Sequence, residues 1–325
     1  MSSSEEIDLE RAIEDADKIV LLGSALKTGI FSALAGEKDI AELVSELNAN
    51  ERALFIVLEA LCSLGFVNRE KNRYIITDKA RFFFVERGED YLGDYLPHAL
   101  NKLKAWLDLP LIIKGEKPGK EAPTDVPSFM KAMSSRPDKM VEFVVDECIR
   151  RKKDAKTALD LGGGPGKYAR TFVKKGMEVV LYDMPETIDY VSMEFGLKDI
   201  RNLTLKKGDF TEHEFADDFQ DGSFDIVFMG NICHIYSEEE NIKLIGRAGK
   251  ILKKGGLLAI EDFVRGRSPE AEMFAVNMLA STIAGGTWTE EQYREWLKVA
   301  GFSKIEVLDF ADGDKQLITA ILESK

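Results

Sequence analysis

The sequence predicts an α/β protein in which a small, mainly helical domain precedes a doubly wound, mostly parallel sheet. Three observations predict it. From residue 157 onward, short β-prone runs alternate with helical stretches. The first of those runs is followed at once by a glycine-rich turn, "GGGPG". Before residue 90, helical periodicity dominates and ends in a short hairpin pattern.

In the N-terminal part, "IEDADKIVLLGSALKTGIFSAL" carries apolar residues at helical spacing. "KDIAELVSELN" and "NERALFIVLEALCSLGF" read as two further helices. "GFVNREKNRYIITD" then sets two β-prone runs around the polar turn "REKN". Three helices and a hairpin make a winged-helix pattern, assigned here to residues 1–90. A helix that reads DNA presents basic or amide side chains to a groove. The third helix instead offers Arg52 and then Leu54, Phe55, Ile56, Val57, Leu58 and Leu61. So apolar a surface needs covering, which points to a partner chain and away from nucleic acid.

Residues 91–155 read as helices apart from the loop "KGEKPGKEAPTDVP", and form a helical linker and pocket region within a second domain, 91–325. The charge run "CIRRKKDAK" suits a solvated helix C-terminus. Beyond it, the strands are "TALDLG", "MEVVLYD", "LTLKKGD", "FDIVFMGN", "GLLAIEDF", "KIEVLDF" and "QLITAILE". Only "ADGDK" separates the last two, too short for a crossover, so they form an antiparallel hairpin.

Of the 325 residues, 45% are hydrophobic and 31% charged, as in a soluble globular chain, and the formal net charge of −13 opposes a nucleic-acid or anionic-membrane surface. No apolar run approaches the roughly 20 residues of a membrane span. The acidic "MSSSEEIDLE" resembles neither a secretory signal nor a transit peptide. Three scattered cysteines exclude a disulfide framework, and a reducing cytoplasm is the expected location.

The chemistry begins at "ALDLGGGPGKYA". Within it, Gly164, Gly166 and Ala169 satisfy the dinucleotide fingerprint, but the surroundings argue otherwise. Asp160 ends the strand just before Gly162, where a carboxylate repels a pyrophosphate and suits an ammonium group. Helix N–H groups behind the loop suit a single carboxylate. Asp183 ends the second strand, where an acid accepts ribose hydroxyls. Asp209 ends the third, within reach of an adenine amino group, and Phe210 beside it covers the ring. Such an acidic crevice prefers S-adenosylmethionine, with its sulfonium and ammonium, to the two phosphates of NAD.

These motifs resemble those of the plant-type and bacterial small-molecule O-methyltransferases, a family that includes caffeic acid and acetylserotonin O-methyltransferases. The resemblance runs over nearly the whole chain. "LDLGGGPG" is similar to the family's cofactor loop, "YDMPETI" to its ribose-binding strand end and "GDF" to its adenine-binding turn. "NICHIYSEEEN" resembles the segment of its catalytic histidine, and "AGGTWTEEQYREWLKVAGF" its C-terminal signature. The resemblance implies a Rossmann-like class I methyltransferase fold, a seven-stranded sheet with an antiparallel last strand, and a winged-helix domain that forms a homodimer.

It further implies His234 as general base, Glu261 as the acid that orients it, and Gly162, Asp183, Asp209 and Phe210 as cofactor contacts. Phe129 and Met133 match a pair lining the substrate pocket, with ordinary helical core packing as the alternative. Two departures stand out. Trp288 replaces a second acid beside the histidine, which puts it at the pocket, and Gly230 replaces a cofactor-contacting lysine.

The chemistry of such a base is direct. A phenol has a pKa of about 10, so an imidazole near 6.5 must take its proton as the methyl moves. His98 and His213 have no comparable context. Cys233 adjoins His234, but no second Cys/His pair at ligand spacing supports a metal. The expected reaction is methylation of a small aromatic or apolar hydroxyl compound. Carbon, nitrogen or sulfur methylation, a ligand-sensing regulator and an NAD oxidoreductase are the alternatives.

Overall fold

The computed structural model describes residues 8–87, 91–118, 125–210, 215, 218–310 and 313–323. His213 therefore lies outside the described residues. The chain divides into two compact units, Met1–Lys104 and Ala105–Lys325.

The first unit begins with α1 (Leu9–Lys27), capped by the Asp8 carboxylate, and α2 (Ile30–Ala33). The sequence reads these as one helix. The structure breaks it at Gly29, whose φ of 78° lies in the left-handed region. After the short strand β1 (Lys38–Asp39), α3 (Ile40–Leu47) opens on a capping box of Asp39 and Glu42. The Asn50 side chain caps α4 (Glu51–Ser63). Strands β2 (Val67–Glu70) and β3 (Arg73–Ile76) form the antiparallel hairpin, and β1 pairs with the other edge of β3. Helices α5 (Asp78–Phe84) and α6 (Leu96–Trp106) follow. Leu54, Leu58 and Leu61 turn α4 into a core with Phe31, Leu34, Leu43 and Tyr74. Phe55 and Ile56 of the same helix stay 41% and 51% exposed.

The second unit starts with α7 (Leu109–Ile112), α8 (Val126–Ser134) and α9 (Asp138–Arg151). Alternation then sets in: β4 (Thr157–Leu161), α10 (Lys167–Lys174), β5 (Glu178–Asp183), α11 (Pro185–Glu194), β6 (Leu203–Lys207) and β7 (Phe224–Gly230). It continues through α12 (Glu238–Ile251), β8 (Leu252–Asp262), β9 (Val264–Arg265), α13 (Ala271–Ser281), β10 (Trp288–Thr289) and α14 (Glu290–Val299). Strands β11 (Phe302–Asp309) and β12 (Gln316–Leu322) complete the fold.

Seven strands form one sheet in the order β11-β12-β8-β7-β4-β5-β6. Strands β4 to β8 run parallel, and β12 runs antiparallel to both of its neighbours. Successive residues of each central strand face opposite sides of the sheet. Leu159, Val227, Leu258 and Ile260 pack with Leu244, Ile245 and Trp296 on one side. Ala158, Ile226, Phe228 and Ala259 pack with Val144, Cys148 and Phe172 on the other. The order reverses beside β4, which opens a crevice at the carboxyl ends of β4 and β7. No helix among the described residues is long and apolar enough to cross a membrane.

Candidate active site

The glycine turn after β4 is built for close approach. Gly162 (φ +68°) and Gly164 (φ +48°) lie in the left-handed region, where other residues are strained. A Cβ on Gly162 would stand 2.2 Å from Cδ1 of Ile232 and 3.4 Å from Cζ of Phe210, so these two side chains close over the loop. A Cβ on Gly164 would face Sδ of Met130 at 3.5 Å. Gly166 (φ +72°) is the residue from which α10 starts.

The three acids expected along this edge take different positions. Asp183 accepts the Gly164 N–H at 2.8 Å and the Met184 N–H at 2.7 Å, so its carboxylate fixes the loop from beside it. Burial raises its pKa and those two N–H groups oppose the rise. Asp209 is half-buried, and Phe210 next to it is buried. Asp160 is 1% exposed, and its Oδ2 accepts the Ala169 N–H at 2.9 Å, so in this structure it caps α10. Burial pushes its carboxyl up to about 7, the Ala169 N–H counters this, and Asp183 and Glu261 add to it.

His234 sits in a turn after β7. Its Nδ1 lies 2.7 Å from Oδ1 of Asp262, and its backbone N–H donates to Oδ2 of the same residue at 3.1 Å. Tyr293 Oη donates to that Oδ2 at 3.3 Å, and the Phe263 N–H donates to Oδ1 at 2.8 Å. A carboxylate on Nδ1 holds the proton there and leaves Nε2 as the basic nitrogen. The ring meets Phe274 edge-on, with centroids 4.8 Å apart.

The carboxylate bonded to His234 is therefore that of Asp262, where the sequence resemblance implies Glu261. Neighbouring residues on a strand point to opposite faces. Asp262 turns toward α14 and the His234 turn, whereas Glu261 turns toward α9 and α10. There Glu261, fully buried, bonds Tyr168 Oη and pairs with Arg136, and Lys315 Nζ lies 3.7 Å away. Lys315 also donates to Asn231 Oδ1 at 2.5 Å and lies 4.7 Å over the Phe263 ring. Burial lowers its pKa, and Glu261 opposes the shift.

Beside this charge cluster is a cavity of about 310 Å³ lined by Arg136, Pro137, Met140, Phe263, Glu270, Phe310, Asp314 and Lys315. None of the three residues expected at a substrate pocket lines it. Trp288 is packed against Trp296, and its Nε1 donates to the Cys233 carbonyl at 3.0 Å, so it holds the His234 turn in place. Phe129 packs against the hydrophobic core behind α9. Met133 is half-buried, and on its helix it is Met130 that meets the glycine turn. Among the described residues no cluster of His, Cys, Asp or Glu could hold a metal ion.

Comparison with known proteins settles the class. The family described as "O-methyltransferase domain" matches residues 119–303, more than half of the chain. The chain belongs to that family. This O-methyltransferase is accordingly an S-adenosylmethionine-dependent enzyme. Among relatives, the 3-hydroxy-5-methyl-1-naphthoate 3-O-methyltransferase of Streptomyces sahachiroi is 26% identical over 312 residues, covering 90% of this chain and 88% of that protein. The fold of "PigF with SAH" superimposes with a TM-score of 0.79 at 17% identity, covering 99% of this chain and 100% of that one. Human N-acetylserotonin methyltransferase in complex with SAM gives 0.75 at 18% identity, with both chains covered completely.

The residues at the crevice fit that cofactor. The missing Cβ of Gly162 lets Ile232 and Phe210 pack directly on the turn, and the Asp183 carboxylate, held by two N–H groups and by Thr187, is an acceptor of the kind that hydroxyl donors need. Asp209 and Phe210 follow at the next strand end.

Proposed function

We propose that this O-methyltransferase methylates the hydroxyl of a small aromatic acceptor, with His234 as general base positioned by Asp262. The observation that carries this reading is the buried His234–Asp262 pair at 2.7 Å beside the crevice. S-adenosylmethionine supplies an electrophilic methyl group on a sulfonium leaving group. Gly162, Gly164, Gly166, Asp183, Asp209 and Phe210 would hold it, with Asp160 supporting the loop from below.

Nε2 of His234 takes the acceptor's proton as transfer proceeds. Such a base contributes about 10²–10⁴-fold. Phe263 and Phe274 stack at 4.1 Å beside the ring and keep water from the reacting atoms. That an aromatic hydroxyl is the acceptor is in keeping with the naphthoate named for the Streptomyces relative.

The test is His234→Ala. Turnover should fall by about 10²–10⁴-fold with S-adenosylhomocysteine affinity unchanged. Near-normal turnover would favour a carbon, nitrogen or sulfur acceptor that needs no base.

The same reading makes the enzyme a homodimer through its N-terminal unit, supported by the exposed Phe55 and Ile56 of α4 and Leu9 and Ile13 of α1. Sedimentation of Phe55→Glu/Ile56→Glu should give a monomer. A dimer in that variant would remove α4 from the interface.

A further inference from the structure

We propose that Asn241 is a positioning residue for the base: from α12, its side-chain amide fixes the turn that carries His234 and so keeps the imidazole on Asp262. This rests on the reading of His234 as general base and adds what holds that base in place.

His234 sits in the middle of one 3₁₀ turn, Cys233–Ile235, between β7 and α12. So short a turn has few bonds of its own. The Ile235 N–H donates to the Ile232 carbonyl at 3.0 Å, and the Tyr236 N–H reaches the Cys233 carbonyl only at 3.4 Å. The direction of the His234 side chain is set by the peptide units on either side of its Cα, and both are bonded from outside the turn. In the preceding unit, the Cys233 carbonyl accepts Asn241 Nδ2 at 2.8 Å and Trp288 Nε1 at 3.0 Å. The N–H of that same unit is the His234 N–H, which donates to Asp262 Oδ2 at 3.1 Å. Donors on a carbonyl polarise the N–H across the amide, so Asn241 and Asp262 reinforce each other. In the following unit, the His234 carbonyl accepts the Gly286 N–H at 2.9 Å. Gly285 approaches so closely that a Cβ there would stand 2.4 Å from this oxygen.

Asn241 differs from the other contacts in spanning the turn. Its Nδ2 bonds the Cys233 carbonyl before His234 and, at 3.2 Å, the Tyr236 carbonyl after it. The side chain is fully buried, and its Oδ1 has no hydrogen-bond partner among the described residues. The reverse orientation of the amide would set Oδ1 against two carbonyls, so the donors face the turn of necessity. The mount is firm as well. A capping box of Ser237 and Glu240 fixes the first turn of α12, and Asn241 follows directly.

Nuclear magnetic resonance on the full-length protein, ¹⁵N-labelled at histidine and leucine and saturated with S-adenosylhomocysteine, tests this. The chain has three histidines, and loss of signals in His234→Ala identifies those of His234. In the natural protein at alkaline pH, where an imidazole is neutral, the His234 ring should show one tautomer, with its proton on Nδ1. Asn241→Leu keeps the bulk and removes the donors. It should lower the hydrogen-exchange protection of the His234 amide about tenfold relative to the amides of Leu159 and Leu161 in β4. The ring should then populate both tautomers. Where leucine does not fit, Asn241→Ala is read in the same way. A protection ratio that falls by less than about threefold, a ring that keeps one tautomer in the variant, or two tautomers already present in the natural protein would each overturn the proposal. A merely structural role lowers protection equally at all three amides, which leaves the ratio unchanged and counts against it. None of these readouts involves methyl transfer. Near-normal turnover of His234→Ala would sink the base reading and leave the hold on the turn standing, whereas an unchanged ratio sinks the role of Asn241 alone.

Discussion

Asp262 holds His234 at two points, through Nδ1 at 2.7 Å and through the backbone N–H at 3.1 Å. One carboxylate thus sets both the tautomer of the ring and the path of the turn that carries it. Asp262→Asn should lower kcat by about 10²–10⁴-fold while KM stays within a few-fold, because an amide permits the wrong tautomer. Asp262→Glu should recover part of the loss. Steady-state kinetics over a range of pH checks this, since a merely structural role would lower the amount of folded enzyme and leave the profile of the remainder unchanged.

Glu261, one residue earlier, should behave differently. Glu261→Gln removes the acid between Arg136 and Lys315 and leaves two cations facing each other in the interior. Breaking a buried pair in this way costs about 3–5 kcal/mol. Urea unfolding should register that loss, whereas the bonds between His234 and Asp262 remain.

Asp183 bonds the Gly164 N–H of the glycine turn through one oxygen and the N–H of Met184 through the other. Asp183→Ala should weaken S-adenosylhomocysteine binding by about 10- to 100-fold, the worth of one charge-assisted hydrogen bond or more. Calorimetry reads this directly, and unchanged affinity would exclude Asp183 from the cofactor site.

Asp160 sets a pH dependence whose sign follows from its raised pKa of about 7. Below about pH 4 the carboxyl is protonated in both folded and unfolded chains. Between pH 4 and 7 the unfolded chain has lost that proton and the folded chain retains it, so stability falls as pH rises. Above 7 both are ionised and the penalty stays constant, at roughly 4 kcal/mol. Asp160→Asn keeps an acceptor for the Ala169 N–H and cannot ionise. Its stability relative to the natural protein should therefore grow from pH 4 to 7 in denaturant titrations and then level off.

The architecture was legible in the sequence because its signals are local. Seven β-prone runs, the glycine turn and the five-residue link "ADGDK" sufficed for the sheet and its antiparallel strand. The break at Gly29 was not, since a helix tolerates a single glycine in many places. At the site, "IED" offered two adjacent acids, and β8 is buried on both faces, so apolar alternation gave no sign of which one faces His234. Arg136 and Lys315 lie far apart in the chain and meet at Glu261 only through the topology. In "FMKAM", Met130 meets the glycine turn because of how α8 is rotated, a quantity that spacing alone does not contain.

Strand β12 lies between β8 and β11 but follows both in the chain. A ribosome making this protein releases β11 before β12, the strand it pairs with among the described residues, exists. The nascent sheet must wait with the flank of β8 bare, a sticky edge open to other chains, until residues 316–322 emerge. Closure of the sheet is thus a late event in biosynthesis, and Lys315, just ahead of β12, reaches Glu261 only with that closure.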